Sequence, residues 1–212
     1  MRRYQNRYRV LAIALAMLAG FVDALGFLTL GGLFVSFMSG NSTRMAVDLA
    51  GGVPGWQLLG PLIAAFVVGV VGGATLGRIA GRWRKQAVLA CVSLLLALAA
   101  MLANEALVAP LLMAGAMGVM NAVFQRDGEV SIGVTYMTGT LVKFGQHLAA
   151  ALAGGPRFAW APYLLLWLGL VAGAFAGAAV FPTLELGALW IATAAAVLLL
   201  AVALVLGPTR DA

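Results

Sequence analysis

The chain carries a series of apolar runs, each long enough to cross a lipid bilayer, and this constrains its fold more than any other feature. A helix crossing the hydrocarbon needs ~20 consecutive apolar residues. Such runs fall at about 10–30, 57–80, 86–103, 106–124, 159–181 and 186–207. Two further segments, 31–52 and 130–153, are apolar but interrupted by Ser, Thr, Gly and charged residues. Of the 212 residues 63% are hydrophobic and 9% charged, with a mean hydropathy of +1.03. Soluble domains hold roughly 45–50% apolar and about 25% charged residues, so this surface cannot face water all round. That excludes a soluble enzyme and a disordered segment. It also excludes a nucleic-acid-binding domain, despite a net charge of +6, because the basic residues sit between the apolar runs. There they set membrane orientation. One cysteine, Cys91, allows neither an internal disulfide nor a cysteine metal cluster.

Charge placement decides which runs cross. Lys/Arg-rich short loops lie in the cytoplasm, and two clusters qualify: Arg2, Arg3, Arg7 and Arg9 at the N-terminus, and Arg78, Arg82, Arg84 and Lys85 after the second long run. An even number of crossings must separate them. Runs 10–30 and 57–80 already supply two, so 31–52 enters the bilayer without spanning it. The same logic puts Arg126, Arg157 and Arg210 inside and leaves Glu105 and Glu185 on outer turns. Eleven of the thirteen basic residues then share one face; the other two are Arg44 and Lys143. The expectation is six spans with both termini cytoplasmic. The basic, then apolar N-terminus mimics a signal peptide, but its apolar stretch runs on past Asp23 and reads as an uncleaved first span.

The sequence repeats itself. Gly20-Phe21-Val22-Asp23-Ala24 returns as Gly118-Val119-Met120-Asn121-Ala122, at an offset of 98. Met38-Ser39-Gly40-Asn41, with Arg44 beyond it, returns as Met137-Thr138-Gly139-Thr140 with Lys143, at an offset of 99. Gly69, Gly73 and Gly77 return as Gly169, Gly173 and Gly177, at an offset of 100. Three spans plus one non-spanning segment per copy is an odd number of crossings, so the second copy lies upside down. The expected fold is an all-α polytopic membrane protein, a single transmembrane domain of two inverted three-helix repeats at about 10–103 and 106–207. Inverted repeats with broken segments recur in transporters, with the solute near the midplane where those segments meet.

The stretch from Gly20 to Arg44, with Val-Asp-Ala and Phe-Met-Ser-Gly-Asn, resembles the YoaK family of bacterial membrane proteins, a domain of unknown function. The stretch from Gly118 to Lys143, through Tyr-Met-Thr-Gly-Thr, is similar to that family's other signature. The resemblance covers nearly the whole chain. It implies a six-span protein of the bacterial inner membrane and no established activity.

In the first broken segment Val35-Ser36-Phe37-Met38 is β-prone and reads as extended, Ser39 has N-cap chemistry, and a short helix follows from Asn41 to Ala50. The second repeats this with Val134-Thr135-Tyr136-Met137 extended, Thr138 as cap and a helix from Thr140. Two helix N-termini then face each other, each presenting free N–H groups and roughly +0.5 of a charge. Gly40 and Gly139 clear side chains from the point of approach. Arg44 and Lys143, about one turn in, would attract an anion. Asp48, four residues after Arg44, is placed to neutralise it, and His147 holds the equivalent position after Lys143. Asp23 and its mate Asn121, with Asp48 and His147, are candidates for coupling or gating, Asp23 as a proton acceptor, a cation ligand or a structural carboxylate. The two glycine ladders are small-xxx-small faces for internal packing or for a homo-oligomer. No catalytic constellation, metal spacing or phosphate loop is present, and no cofactor is implied.

The leading expectation is a transporter of a small polar or anionic solute. Ser39, Gly40, Asn41, Thr138, Gly139 and Thr140 would supply donors, and Arg44 and Lys143 positive potential. The alternatives are a passive channel and a non-transport membrane scaffold, in which the two broken segments close the middle of the protein with mutually satisfied caps. At the level of fold alone the arrangement resembles aquaporins, and also sulfate-permease and nucleobase transporters.

Overall fold

A computed structural model describes residues 6–126, 129–130 and 132–208. Arg2, Arg3 and Arg210, expected on the cytoplasmic face, lie outside the described residues, as does the side chain of Arg126. Eight α-helices are found there: α1 (Asn6–Thr29), α2 (Met38–Ala50), α3 (Trp56–Ala80), α4 (Arg84–Met101), α5 (Val108–Met120), α6 (Met137–Leu152), α7 (Ala161–Leu184) and α8 (Leu189–Leu206). Short 3₁₀ turns join α3 to α4 and α7 to α8, and another extends α5 to Phe124. The helices run 24, 13, 25 and 18 residues in the first half and 13, 16, 24 and 18 in the second.

Three helical stretches are long and apolar enough to cross a membrane: Arg7–Thr29, Trp56–Met101 and Ala161–Leu206. The second and third, 46 residues each, would measure about 69 Å as straight helices, over twice the ~30 Å hydrocarbon thickness. Each folds back at a break near its middle, and α3 packs on α4. At the breaks Gly81 has φ +52 and Glu185 φ +47. Gly81 adopts this conformation without steric cost, whereas Glu185 holds a Cβ in a region that L-residues avoid. The shorter apolar helix Val108–Phe124 accounts for the remaining sequence run.

The helices pair across the two halves. The most extensive interface is α1 on α7, followed by α3 on α5, then α4 on α8. Each of the first two joins a glycine ladder to the Gly-marked helix of the other half. A Cβ at Gly73 would lie 2.8 Å from the Val119 carbonyl oxygen, and one at Gly69 would collide with the Gly115 carbonyl. On the other side a Cβ at Gly169 would lie 2.9 Å from the Ile13 carbonyl oxygen, and one at Gly173 would collide with that of Met17. The contacts are reciprocal, since Gly118 abuts Phe66 and Gly20 abuts Leu170. These faces therefore serve contacts within the chain. The core fills the space between α1, α4, α5 and α8 with side chains such as Leu15, Leu89, Met117 and Leu189. The outward faces of α3 and α7 carry exposed Val67, Val71, Leu168 and Phe175.

One end of the bundle is tied by polar contacts. The Lys85 ammonium lies 4.3 Å from the centroid of the Tyr8 ring. Next to it the Gln86 amide Nε2 donates to the carbonyls of Ala203 at 2.8 Å and Gly207 at 3.0 Å, closing the C-terminus of α8. Arg84 donates to the carbonyls of Gly77 and Gln125. The start of α1, the start of α4, the loop after α5 and the end of α8 thus come together. That loop includes a two-stranded ladder, β1 (Gln125–Arg126) and β2 (Glu129–Val130), which the sequence reading did not anticipate.

Three outcomes check this packing and the strained break at Glu185. Gly173→Leu, which drives a side chain into the α1 backbone, is expected to destabilise by about 3 kcal/mol or to prevent folding. Gly72→Leu, on the open side of α3 with nothing within 4 Å, is expected to leave detergent-phase thermal unfolding unchanged. Glu185→Gly relieves the positive-φ strain and is expected to stabilise by about 1 kcal/mol net of the added unfolded-state entropy, read as a higher unfolding midpoint.

Candidate functional site

The two broken segments are built alike. Each leaves extended backbone and enters its helix through a tight turn centred on an aromatic residue. Phe37 has φ −89 and ψ 73, and Tyr136 has φ −88 and ψ 60. Met38 N donates to Ser36 O at 3.1 Å and Met137 N to Thr135 O at 3.0 Å. These are inverse γ-turns. The helices therefore begin at Met38 and Met137, three residues before the expected starts at Asn41 and Thr140. Ser39 and Thr138 are not N-caps, and neither helix has a side-chain cap. The reason is geometric: the γ-turn has already closed the chain, so Ser39 and Thr138 fall in the first helical turn. Both helices end on glycine with positive φ, Gly52 at +67 and Gly154 at +88. The Val53 N–H reaches Asp48 O at 2.8 Å and Gly155 N–H reaches Ala150 O at 2.9 Å, as in a Schellman motif.

Side chains hold the extended stretches. Asp23 Oδ1, on α1, accepts the N–H groups of Val35 at 2.9 Å and Ser36 at 2.8 Å. Its mate Asn121 accepts from the Thr135 hydroxyl at 3.0 Å and donates to Met117 O at 3.0 Å. Thr135 is itself the mate of Ser36, so the same link recurs in both halves. Asn41, 1% exposed, clamps the backbone of Phe34: its Oδ1 accepts from Phe34 N at 3.0 Å and its Nδ2 donates to Phe34 O at 2.6 Å. Its amide is thus engaged by the protein. Thr140 donates to Tyr136 O one turn back at 3.1 Å. Asp23, Asn41 and Asn121 place the segments, and Thr140 closes the first turn of α6.

Between the two helix starts lies a cavity of about 260 Å³. Its lining comes in repeat-related pairs: Ser36 with Thr135, Phe37 with Tyr136, Met38 with Met137, and Ser39 with Thr138. Gly139 and Phe66 of α3 complete it. Among the described residues the Ser39 and Thr138 hydroxyls have no hydrogen-bond partner, nor do the backbone N–H groups of residues 39, 40, 138 and 139. The aromatic and Met pairs and Phe66 were missed from sequence. Their β-prone pattern signalled extended chain but not which way the rings face.

The glycines differ from expectation and from each other. A Cβ at Gly40 would collide with the Phe37 ring, whereas Gly139 has open space before it. Gly40 therefore accommodates an aromatic ring of its own segment. Arg44 and Lys143 lie off the central cavity, both exposed on their helices. Arg44 Nε donates to Asp48 Oδ1 at 2.9 Å, the pairing that the i,i+4 spacing indicated. His147 stacks on Tyr163 of α7, with centroids 5.0 Å apart and rings 15° from parallel.

Asn41→Ala is expected to destabilise by about 2–4 kcal/mol, because it strands both backbone polar groups of Phe34. Asp23→Asn keeps an acceptor of the kind that works at position 121. It is expected to fold with a loss of about 1 kcal/mol, whereas Asp23→Leu is expected to unfold or aggregate. Thermal unfolding of the three purified variants distinguishes these outcomes.

Known proteins place the chain. A family model described as protein of unknown function (DUF1275) matches residues 11–204, a span that contains both motif stretches read from the sequence. A UPF0700 transmembrane protein of Rhizobium meliloti (strain 1021) is 39% identical over 202 residues, covering 95% of this chain and 88% of that protein. No solved structure matches. A transmembrane relative of nearly full length agrees with helices apolar enough to cross a bilayer, and the chain is an integral membrane protein belonging to the DUF1275 family.

Proposed function

We propose that this protein is a transporter of a small polar or anionic solute, with the solute held between the first turns of α2 and α6. The observation that carries the reading is the central cavity, lined by four repeat-related pairs of residues. Two equivalent half-sites converging on one small cavity is the construction expected when two broken segments share a solute. Irregular backbone at membrane depth is tolerated where it is buried in protein or lines a wet cavity, and the Asp23, Asn41 and Asn121 contacts meet the first condition for the parts that face protein. At about 260 Å³ the cavity falls just below the ~300–1,000 Å³ of drug-sized ligand sites, which limits the solute to a small molecule. Its polar groups are hydroxyls and backbone N–H groups and no charged side chain lines it, so it offers donors to a polar or anionic solute and no carboxylate to a cation.

In this reading α1, α3, α4, α5, α7 and α8 are six spans, arranged as two inverted repeats, with α2 and α6 entering without crossing. The exchange of partners between halves, α1 with α7 and α3 with α5, supports a repeat relation. The clustering of the α1 start, the α4 start, the loop after α5 and the α8 end supports placing the Arg78, Arg82, Arg84 and Lys85 region on the same side as both termini. The positive-inside rule makes that side cytoplasmic, in the inner membrane of a bacterium.

Impermeant thiol labelling tests this without a guess at the solute. In a Cys91→Ser background, Ser39→Cys and Thr138→Cys are expected to react with a membrane-impermeant reagent from at least one side of intact vesicles. Gly72→Cys, facing outward from α3, is expected to stay unreactive. Failure of both central positions from both sides in a folded protein would mean a closed, dry centre and would favour a scaffold.

A further inference from the structure

Two more cavities flank α2, and shared side chains link them to the central one. An open groove of about 450 Å³ runs along the exposed face of α2, lined by Phe37, Ser39, Gly40, Thr43, Arg44 and Val47. It has Phe37 and Ser39 in common with the central cavity. It has Arg44 in common with a third cavity of about 350 Å³, which Asp48, Pro54 and Gln57 face near the loop leading to α3. The three form a series, from the α2–α3 loop past Arg44 to the first turn of α2.

Arg44 is presented to this series in a defined way. The Asp48 side chain is only 6% exposed, while that of Arg44 is 59% exposed. Asp48 is seated against Gly55, where a Cβ would collide with its carboxylate, so Gly55 makes room for the acid. The acid takes the guanidinium by its Nε at 2.9 Å. Neither Nη group has a hydrogen-bond partner among the described residues. A guanidinium held at Nε with its Nη edge free is oriented for an oxyanion such as a carboxylate or phosphate, two of whose oxygens can accept parallel N–H bonds. The second repeat has no counterpart, since Lys143 lacks the fork and His147 is stacked on Tyr163.

We infer that Arg44 forms an oxyanion-binding site on a path along α2, separate from the central cavity, with Asp48 as its positioning residue and Phe37 as the divide between them. The Phe37 ring packs edge-on against Phe34 at 5.3 Å and fills the space over Gly40, where the two cavities meet. The Arg44 site stands on its own geometry; only the destination of the path rests on the transport reading.

The test uses the full chain in phosphatidylcholine vesicles, Cys91→Ser with Thr43→Cys, and compares thiol modification by an anionic and a cationic methanethiosulfonate. The anionic reagent is expected to react faster, and Arg44→Gln is expected to lower the anionic-to-cationic rate ratio by about tenfold. Sodium benzoate in solution is expected to slow the anionic reagent; phosphatidylglycerol mixed into the bilayer slows it instead if the oxyanion is a lipid headgroup. Asp48→Asn separates positioning from charge: it raises the rate ratio, because a negative charge beside Arg44 is gone, but weakens benzoate protection. Should Arg44→Gln fail to fold around its unpaired acid, Arg44→Lys serves, keeping the ratio while losing protection. Phe37→Ala is expected to speed labelling of Thr138→Cys. A rate ratio indifferent to Arg44 overturns the site. If the ratio depends on Arg44 while neither Ser39→Cys nor Thr138→Cys reacts from either side, the Arg44 site stands and the central solute reading falls.

Discussion

The structure depends on how a very apolar chain satisfies backbone that is not helical. Within a helix every interior N–H and C=O is paired, but residues 33–37 and 132–136 leave the helical path twice in a protein that offers little water. Unpaired backbone groups there would cost several kcal/mol each. Asp23 accepts two of these N–H groups and Asn41 pairs with both groups of Phe34. In the other half Asn121 reaches Thr135 through side chains. Once the extended stretches are fixed in this way, the γ-turns at Phe37 and Tyr136 aim the helices, and the first-turn hydroxyls and N–H groups are left for the cavity. Every property attributed to the site follows from which polar groups the protein uses for itself and which it leaves free.

The second constraint is close backbone approach. Glycines at 20, 69, 73, 118, 169 and 173 bring α1 onto α7 and α3 onto α5 with carbonyls where a side chain would otherwise be. Without a strong hydrophobic drive between helices in lipid, such packing supplies much of the association. It also fixes the two halves against each other, because each glycine-rich interface joins one half to the other. The cavity between α2 and α6 lies within that frame, since α2 packs on α3 and α6 on α7.

Much of this was legible in the sequence, for identifiable reasons. Apolar run length located the long helices to within a few residues, since that signal is carried by many residues at once. The Arg44–Asp48 pair was legible because i,i+4 geometry is local. The start of α2 was not: Ser39 has capping chemistry, but the chain turns at Phe37, and a γ-turn leaves no distinctive residue type. The ladders of glycines announced close approach without naming the partner, because which helix arrives is a long-range matter. The clamp at Asn41 had one signal, an amide where the repeat places Thr140, and it was read as a donor to solute. The β1–β2 ladder flanks Asp127-Gly128 in the sequence, a dipeptide common in hairpins, so a local signal for it was present.

The repeats have diverged in charge far more than in shape, and the divergence is one-sided. Asp23 corresponds to Asn121, Asn41 to Thr140, Arg44 to Lys143 and Asp48 to His147 in the repeat. The first half carries the carboxylate that grips backbone and the paired Arg and Asp. The second anchors its extended segment through the neutral Asn121 and carries Lys143 with a histidine, stacked on Tyr163, where the first has Asp48. Backbone geometry at Phe37 and Tyr136 is nevertheless the same to within 13°. Packing alone gives no reason for such a difference, since Asn121 shows that a neutral residue can anchor an extended segment. A protein whose two halves met a solute identically would have no use for it either. An asymmetric charge pattern on a near-symmetric frame distinguishes the approach along α2 from the approach along α6, and the ion pair at Arg44 is where that distinction is greatest.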